Sequence, residues 1–295
     1  MARQYEKGIG LMAAITGSLA DRFLMPERSD PGQRASRSRL IPAEPVVGSL
    51  PGGPLANAPL LGRIEVYNHG GKSNPVINRA QSHSRTKSIS KKTGMTHFGE
   101  GTGEQWLEMT NEIAGNVIDF IAHPGKFHID MGTSAFSYRP DFLVQYLDGT
   151  IKVIEVKRSL ADIDVELAEK FAAMHEFSRR IGWEFDVMFT PDIMGSRTKQ
   201  HNIMNIYGRR GKDLSDAALD IARSLRKSRE AISFQDLTAK VSPDAPLAGK
   251  VIVQTMIAHG HLLADLGAQI GEAAILTPTP QHDGRSQIRL MEKIK

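Results

Sequence analysis

The sequence predicts a protein of the α/β class, in which a mixed β-sheet flanked by helices is followed by a smaller unit of short helices and a β-ribbon. Residues 138–157 alternate between apolar and polar and are rich in Val, Ile, Phe and Tyr, which indicates two neighbouring strands. Residues 159–190 carry a helical pattern and then a further strand, which is the order of a crossover between parallel strands. Residues 213–280 carry three short helical patterns and a turn, which indicates the second unit.

Composition limits the classes of protein to consider. The chain has 295 residues, enough for about two domains. It contains no cysteine, which excludes disulfides, thiolate zinc sites and a cysteine nucleophile. The net charge of +4 is compatible with a polyanionic partner. No apolar run approaches the roughly 20 residues that span a bilayer, so we expect no membrane segment.

A short apolar stretch occupies residues 9–20, behind Arg3 and Lys7. It resembles a weak signal peptide. Glu6 and the Gly, Thr and Ser interruptions argue against export. We therefore interpret the stretch as a small N-terminal helix and expect a cytoplasmic protein.

Residues 1–95 are predicted to form a flexible basic N-terminal arm. Residues 25–62 are rich in Pro, Gly, Ser and Ala, as flexible linkers are, and residues 66–99 contain no acidic residue while Lys and Arg accumulate. Two interpretations stay open, a solvated linker and an arm laid along the phosphate backbone of DNA. In the second, the DNA-contacting residues are Arg79, Arg85, Lys87, Lys91 and Lys92.

A helix is predicted from Glu104 to about Asn116, after a glycine-rich breaker. The chain then leads toward a strand that begins near Phe127. His123 and His128 lie in this region, and we interpret both as structural or solvent-facing rather than as ligands.

Asp148 and Gly149 separate the two strands of residues 138–157, as expected of a hairpin turn. Because side chains alternate between faces along a strand, Glu155 and Lys157 share one face. These two charges interrupt an otherwise apolar run.

Two hairpin registers are compatible with this turn. A two-residue turn places Asp141 opposite Val156, with the acids on opposite faces. A three-residue loop, with Gly149 in the left-handed conformation, places Asp141 opposite Glu155. We predict the second register, since it brings two carboxylates and the ammonium of Lys157 onto one face.

The predicted grouping of charges suggests a metal-dependent hydrolase. Two close carboxylates resist joint ionisation, and a divalent cation between them relieves the repulsion. Mg²⁺ prefers carboxylate oxygens and water, so the predicted cofactor is Mg²⁺, with Mn²⁺ as a substitute. Lys157 is suited to orient a water or to stabilise charge on a phosphodiester. The alternative is an ordinary hairpin with solvated charges.

After residue 157, the chain is predicted to add a helix and a strand to the sheet and then to form a series of helices. Residues 159–180 are expected to form a helix ended by Gly182, and residues 183–190 a strand parallel to the one before it. Further helices are predicted over 214–226, 234–240 and 247–259.

Three short helices and a small ribbon suggest a winged helix over residues 212–280, with residues 281–295 as a C-terminal tail. The segment 247–259 takes the place of a DNA-reading helix. Gln254 is its only residue of the types that read bases. We therefore favour a winged helix that contacts protein over one that reads sequence.

The run Pro140-Asp141 followed by Glu155-Val156-Lys157 resembles the PD-(D/E)xK motif of the restriction-endonuclease-like superfamily. The wider pattern over residues 138–157 resembles the N-terminal domain of TnsA, the endonuclease subunit of heteromeric transposases. Upstream, Val117-x-x-Phe120-x-x-His123-Pro124 resembles that family's Val-x-x-Phe-x-x-Gln-Pro, with His in place of Gln. The resemblance covers roughly residues 87–278.

The resemblance implies a restriction-endonuclease-like mixed sheet over residues 96–211 and a winged helix after it. It implies that Glu104, Asp141, Glu155 and Lys157 are catalytic. It also implies metal ligands at Glu104, Asp141, Glu155 and the Val156 carbonyl. Because the family's usual Ser before the helix Glu is absent, Glu100 and Glu108 remain alternatives to Glu104.

The family implies a division of labour at transposon ends. Its nuclease subunit cuts the 5′ strands of double-stranded DNA during cut-and-paste transposition. An integrase-type transposase cuts and joins the 3′ strands, and an AAA+ regulator contacts the C-terminal region of the nuclease. Two other hypotheses stay open, a stand-alone restriction or repair endonuclease and a non-catalytic DNA-binding adaptor.

Overall fold

The structure is a computed structural model that describes residues 36–43, 60–67, 85–130, 134–282 and 286–290. The predicted N-terminal helix over residues 9–20 and Arg79 lie outside these residues. The strands are β1 (Ser36–Ala43), β2 (Leu60–Tyr67), β3 (Arg85–Ile89), β4 (Thr96–Glu100), β5 (Val117–Ala122), β6 (Gly125–Asp130), β7 (Ala135–Tyr138), β8 (Phe142–Tyr146), β9 (Ile151–Lys157), β10 (Glu184–Phe189), β11 (Ile232–Ser233), β12 (Leu262–Leu263) and β13 (Ile275–Pro278). The helices are α1 (Thr102–Ile113), a 3₁₀ turn (Leu160–Asp162), α2 (Val165–Arg180), α3 (Thr190–Met194), α4 (Arg197–Tyr207), α5 (Asp216–Ser228), α6 (Phe234–Val241), α7 (Pro246–Ala258) and α8 (Gln287–Leu290).

The central sheet contains four strands in the order β10-β9-β8-β5. β9 and β10 are parallel, whereas β8 runs antiparallel to both β9 and β5. This confirms the predicted α/β class, the mixed sheet and the parallel pairing across α2. Strand β5 was not predicted, because five of its six residues are buried and the alternation that marks a half-exposed strand is lost.

The hairpin of β8 and β9 has the predicted register. Phe142 pairs with Ile154 and Leu143 with Val153. The Tyr146 N–H donates to the Thr150 carbonyl at 2.9 Å, which closes a three-residue loop. Gly149 ends this loop with φ 88°, in the left-handed region. The register therefore places the residue before β8, Asp141, opposite Glu155.

Helices cover both faces of the central sheet. On one face, Leu143 and Val153 pack against Met174 and Phe177 of α2. On the other face, Phe142, Val144 and Ile154 pack against Leu107 of α1 and Ile193 of α3. Burial of each such side chain contributes roughly 1.5–3 kcal/mol, so the sheet is held from both sides.

A second sheet, in the order β1-β2-β6-β7, is antiparallel throughout. It shares the core of α2, where the Phe127 and Phe177 rings make an edge contact at 6.2 Å. The predicted strand near Phe127 is therefore present as β6, but it belongs to this second sheet. Within residues 1–95, the described stretches 36–43, 60–67 and 85–89 are paired strands, although the whole segment was predicted to be a flexible arm.

The chain leaves the second sheet at β7 and enters the central sheet at β8, where a single strand over residues 138–146 was predicted. Arg139 and Pro140 separate the two strands. Proline has no N–H to donate to a ladder, so it interrupts a strand. The Pro-Asp pair of the sequence motif thus lies at the switch between sheets.

The hairpin of β3 and β4 leads into α1 and holds its C-terminal end. Glu112 of α1 accepts hydrogen bonds from the backbone N–H groups of Lys91 and Lys92, at 2.7 and 3.1 Å. The Lys92 ammonium donates to the carbonyls of Asn111 and Val117, at 2.7 and 3.0 Å. The bond to Asn111 satisfies a carbonyl that the end of the helix leaves without a partner, and the bond to Val117 ties the same lysine to β5.

The C-terminal unit contains α5, α6 and α7 and an antiparallel ribbon in the order β11-β13-β12. The three predicted helices are therefore present. The C-terminal unit packs against α1, because Met109 and Ile113 of α1 share a hydrophobic core with Leu237, Val253 and Met256.

The final helix, α8, returns to the central sheet. The Gln145 side chain accepts a hydrogen bond from the Gln287 N–H at 2.7 Å, and Ile288 is buried. Part of the predicted C-terminal tail is therefore a helix that packs on the core through Ile288. Among the described residues, no helix has both the length and the apolar character that crossing a bilayer requires.

The hairpin loop gives a stability prediction. A Cβ at Gly149 would meet nothing within 4 Å, so Gly149→Ala adds only backbone strain at positive φ. We expect a loss of about 1–2 kcal/mol in the free energy of unfolding, measured by urea denaturation. Gly211→Ala is the matched control, since it is equally open and lacks positive φ. Equal effects of the two substitutions would contradict the assigned loop conformation.

Candidate functional site

Three residues from neighbouring strand ends meet at the start of β8. The β8–β9 register places Asp141 opposite Glu155, and the β5–β8 register places His123 opposite Asp141 on the other side. The His123 N–H donates to the Asp141 carbonyl at 2.7 Å, which continues the ladder by one residue. Directly opposed residues of a sheet are close neighbours. Pairing alone therefore groups two acids and a histidine.

A strand N–H holds the Asp141 carboxylate, because the Val156 N–H donates to Asp141 Oδ2 at 2.7 Å. The register places Pro140 opposite Val156. Proline has no N–H, so Pro140 offers no donor to the Val156 carbonyl. The N–H and C=O of one strand residue point to the same side, so the Val156 carbonyl is directed to the side where Asp141 lies.

Glu104 reaches this group from the first turn of α1. The helix comes close because Gly103 has no side chain: a Cβ there would lie 2.4 Å from Thr190 Oγ1 and 2.7 Å from Val156 Cγ1. The Glu104 carboxylate is buried and accepts a hydrogen bond from the Glu100 N–H at 2.8 Å. Its position is thus fixed by helix packing and by the preceding strand.

Glu104, His123 and Asp141 form a group with the composition of a metal site. Each offers a ligand atom, and these atoms lie within 4.8 Å of one another. His123 Nε2 is 3.3 Å from Glu104 Oε2. Among the described residues, this buried nitrogen has no hydrogen-bond partner. His123 was interpreted from the sequence as structural or solvent-facing, and only the β5–β8 pairing reveals its place.

Glu155 and Lys157 lie beside this group. Glu155 is 4% exposed, and its Oε1 accepts a hydrogen bond from the Lys157 ammonium. Its Oε2 is buried and without a hydrogen-bond partner in the described part of the chain. The Lys157 ammonium also lies 6.0 Å from the centre of the Phe171 ring. The four residues predicted to be catalytic are therefore neighbours, with Glu155 outside the three-residue group.

Asp141 is the acid of this group whose surroundings disfavour ionisation. Burial, followed by the charges of Glu155 and Glu104, raises the pKa of Asp141 well above its usual value. Burial and the Glu155 charge likewise raise the pKa of the Tyr138 phenol. The group therefore holds more negative charge than its own cations balance, as cation-binding sites do.

The alternatives to Glu104 have other roles or other surroundings. Glu108 accepts a hydrogen bond from Ser88, and burial raises its pKa. Glu100 lies on β4 and contributes its backbone N–H to Glu104. Among the described residues, the group of possible metal ligands contains Glu104, and it contains neither Glu100 nor Glu108.

The described residues that were predicted to contact DNA differ in whether their side chains are exposed to a phosphate. Lys87 and Lys91 are exposed, and the Lys87 ammonium lies 5.9 Å from the centre of the Phe98 ring. Arg85 begins β3. Lys92 is engaged by the carbonyls at the end of α1, and burial lowers its pKa to about 8. Lys92 would have to break those hydrogen bonds to contact a phosphate. We therefore assign Lys92 to capping the helix.

The raised pKa of Asp141 makes a prediction for stability without metal. The folded state holds a proton that the unfolded state releases, so this contribution is full below pH 3.8 and is lost as pH rises through the raised pKa. In chelator, we expect the free energy of unfolding to decrease across this range. Asp141→Asn should reduce the decrease and stabilise the protein at neutral pH.

Urea denaturation at a series of pH values measures this effect. The exposed Asp213 has no part in the group, so Asp213→Asn is the control and should follow the wild type. A pH dependence unchanged in Asp141→Asn would refute the assigned electrostatics.

No protein-family model matches the chain, and no curated protein matches it either. The resemblance to TnsA-like nucleases thus rests on its sequence motifs.

Proposed function

We propose that this protein is a metal-dependent DNA endonuclease that acts as the nuclease subunit of a heteromeric transposase. The observation that carries the proposal is the position of Asp141 at the switch between sheets, opposite Glu155, with Glu104 reaching it from α1. Lys157 completes the set through its contact with Glu155. Carboxylates and one amine in this arrangement suit phosphodiester hydrolysis.

The residues present fit a divalent cation. The site is lined by buried acids, burial and carboxylate repulsion raise the pKa of Asp141, and the buried His123 Nε2 has no hydrogen-bond partner among the described residues. Glu104 and Asp141 would hold the ion. Glu155, opposite Asp141, and the Val156 carbonyl lie on the neighbouring strand. A bound cation would supply positive charge at the scissile phosphate.

Lys157 has the position of a charge-stabilising group. Its side chain is 22% exposed, so a phosphate oxygen or an attacking water can approach it. Glu155 holds the ammonium in place, and the Phe171 ring excludes water on one side. A fixed, partly desolvated donor stabilises charge that develops in a transition state more than a mobile one does.

Exposed cations beside the site support DNA as the substrate. Lys87 and Lys91 belong to the β3–β4 hairpin, and β4 leads directly into α1 and Glu104. A DNA backbone that crosses this hairpin would pass close to the first turn of α1. Contacts of this kind make affinity depend on salt.

The C-terminal unit supports dependence on protein partners. Its order of helix, strand, two helices and two strands is compatible with the winged helix that we propose for it. Gln254, the base-reading candidate on α7, accepts a hydrogen bond from Arg209 at 3.1 Å. Because this side chain is engaged within the protein, contact with a protein partner is favoured over reading of bases, and we propose the integrase-type transposase and the AAA+ regulator as the partners.

Cleavage of supercoiled plasmid carrying transposon ends tests the proposal. We expect little nicking by the protein alone, and cuts in the 5′ strands at the ends when the integrase-type transposase is added. Efficient nicking by the protein alone would favour a stand-alone endonuclease. Cleavage retained in Asp141→Ala would remove the catalytic assignment, whereas Asp213→Ala should cut as the wild type does.

Lys157 gives a second, separable test. Lys157→Met should lower the cleavage rate by about 10²–10³-fold, because a preorganised donor is lost. The affinity for Mn²⁺ should stay near that of the wild type, since Lys157 is not a ligand. Lys212→Met, at an exposed position, is the control. A loss of metal binding equal to the loss of cleavage would contradict this role.

A further inference from the structure

His123 has a backbone conformation that few side chains adopt. Its φ is 49°, in the left-handed region, where residues other than glycine are uncommon. The hydrogen bond from its N–H to the Asp141 carbonyl, at 2.7 Å, holds it there. Strained residues of this kind concentrate at functional sites, where the surrounding structure maintains them.

The imidazole of His123 lies beside two carboxylates, but its Nε2 atom has no hydrogen-bond partner among the described residues. Its Nε2 lies within 4.8 Å of ligand atoms of both Glu104 and Asp141 and is 3.3 Å from Glu104 Oε2. The atom is buried and makes no hydrogen bond within the described residues. Buried polar atoms in native proteins nearly always have partners, and a cation shared with the two carboxylates would supply one.

The donor set distinguishes between cations. Mg²⁺ takes oxygen ligands and retains water, whereas an imidazole nitrogen favours first-row transition ions. We infer that His123 is a ligand of the bound cation, and that the site therefore binds Mn²⁺ or a similar transition-metal ion in preference to Mg²⁺. The inference concerns the site of the proposed nuclease and rests on that function for the role of the ion.

Pulsed electron paramagnetic resonance of the Mn²⁺-loaded full chain tests the inference directly. A coordinated imidazole couples its ¹⁴N to the Mn²⁺ electron spin. We expect this coupling in the wild type, its replacement by a ¹⁵N coupling when only histidine is labelled with ¹⁵N, and its loss in His123→Gln. If the wild-type protein binds Mn²⁺ but its spectrum shows no nitrogen coupling, the inference is overturned. This outcome can be observed in the wild type alone, without any substitution.

Calorimetric titration with MnCl₂ and MgCl₂ tests the preference. His123→Gln should weaken Mn²⁺ binding at least about tenfold, the order of effect expected when a metal site loses a supporting group. Mg²⁺ binding should change much less. His175→Gln, at an exposed histidine of α2, is the control and should bind both ions as the wild type does. Equal losses for the two ions, or no loss, would overturn the preference.

A second variant separates ligation from folding. Asn tolerates the left-handed region better than Gln does, and its shorter side chain does not extend to the imidazole Nε2 position. His123→Asn should therefore melt near the wild-type temperature yet lose the nitrogen coupling. Retention of the coupling would overturn the assignment.

These spectra do not depend on DNA cleavage. A protein that shows the His123 coupling but never cuts DNA would refute the nuclease and leave the ligand in place. A protein that cuts DNA at transposon ends without any nitrogen coupling would refute the ligand and leave the nuclease.

Discussion

The structure around the site depends on a ladder that stops at Pro140. Because proline donates no hydrogen bond, the second sheet ends at β7 and the central sheet begins at β8. Pro140 offers no N–H to the Val156 carbonyl opposite it, and the Val156 N–H donates to the Asp141 carboxylate. The ladder thus ends with an acid held at the sheet end and a strand carbonyl directed toward it.

The same constraint explains why an acidic group persists in a well-packed protein. Helices on both faces bury the sheet, and a buried carboxylate opposed by other carboxylates is destabilising. The energy of the two cores offsets this cost. A cation bound beside the left-handed His123, as we propose, would relieve this repulsion.

The helices give the site its rigidity. α1 is held at its beginning by close contact at Gly103 and at its end by Glu112 and Lys92. It also shares a core with the C-terminal unit through Met109 and Ile113. A partner bound to the C-terminal unit would therefore contact the same core as the helix that carries Glu104, which offers a physical route to the proposed metal site.

The class of the fold and the hairpin register could be predicted from the amino acids, because a glycine in a three-residue loop and the period of two in the strands are local properties. The sequence motifs also identified Glu104, Asp141, Glu155 and Lys157 as candidates. The pairing of β5 with β8 could not be predicted, since β5 is largely buried and lacks alternation. That pairing placed His123 beside the acids. Long-range hydrogen bonds likewise turned Lys92 from an expected DNA contact into a helix cap.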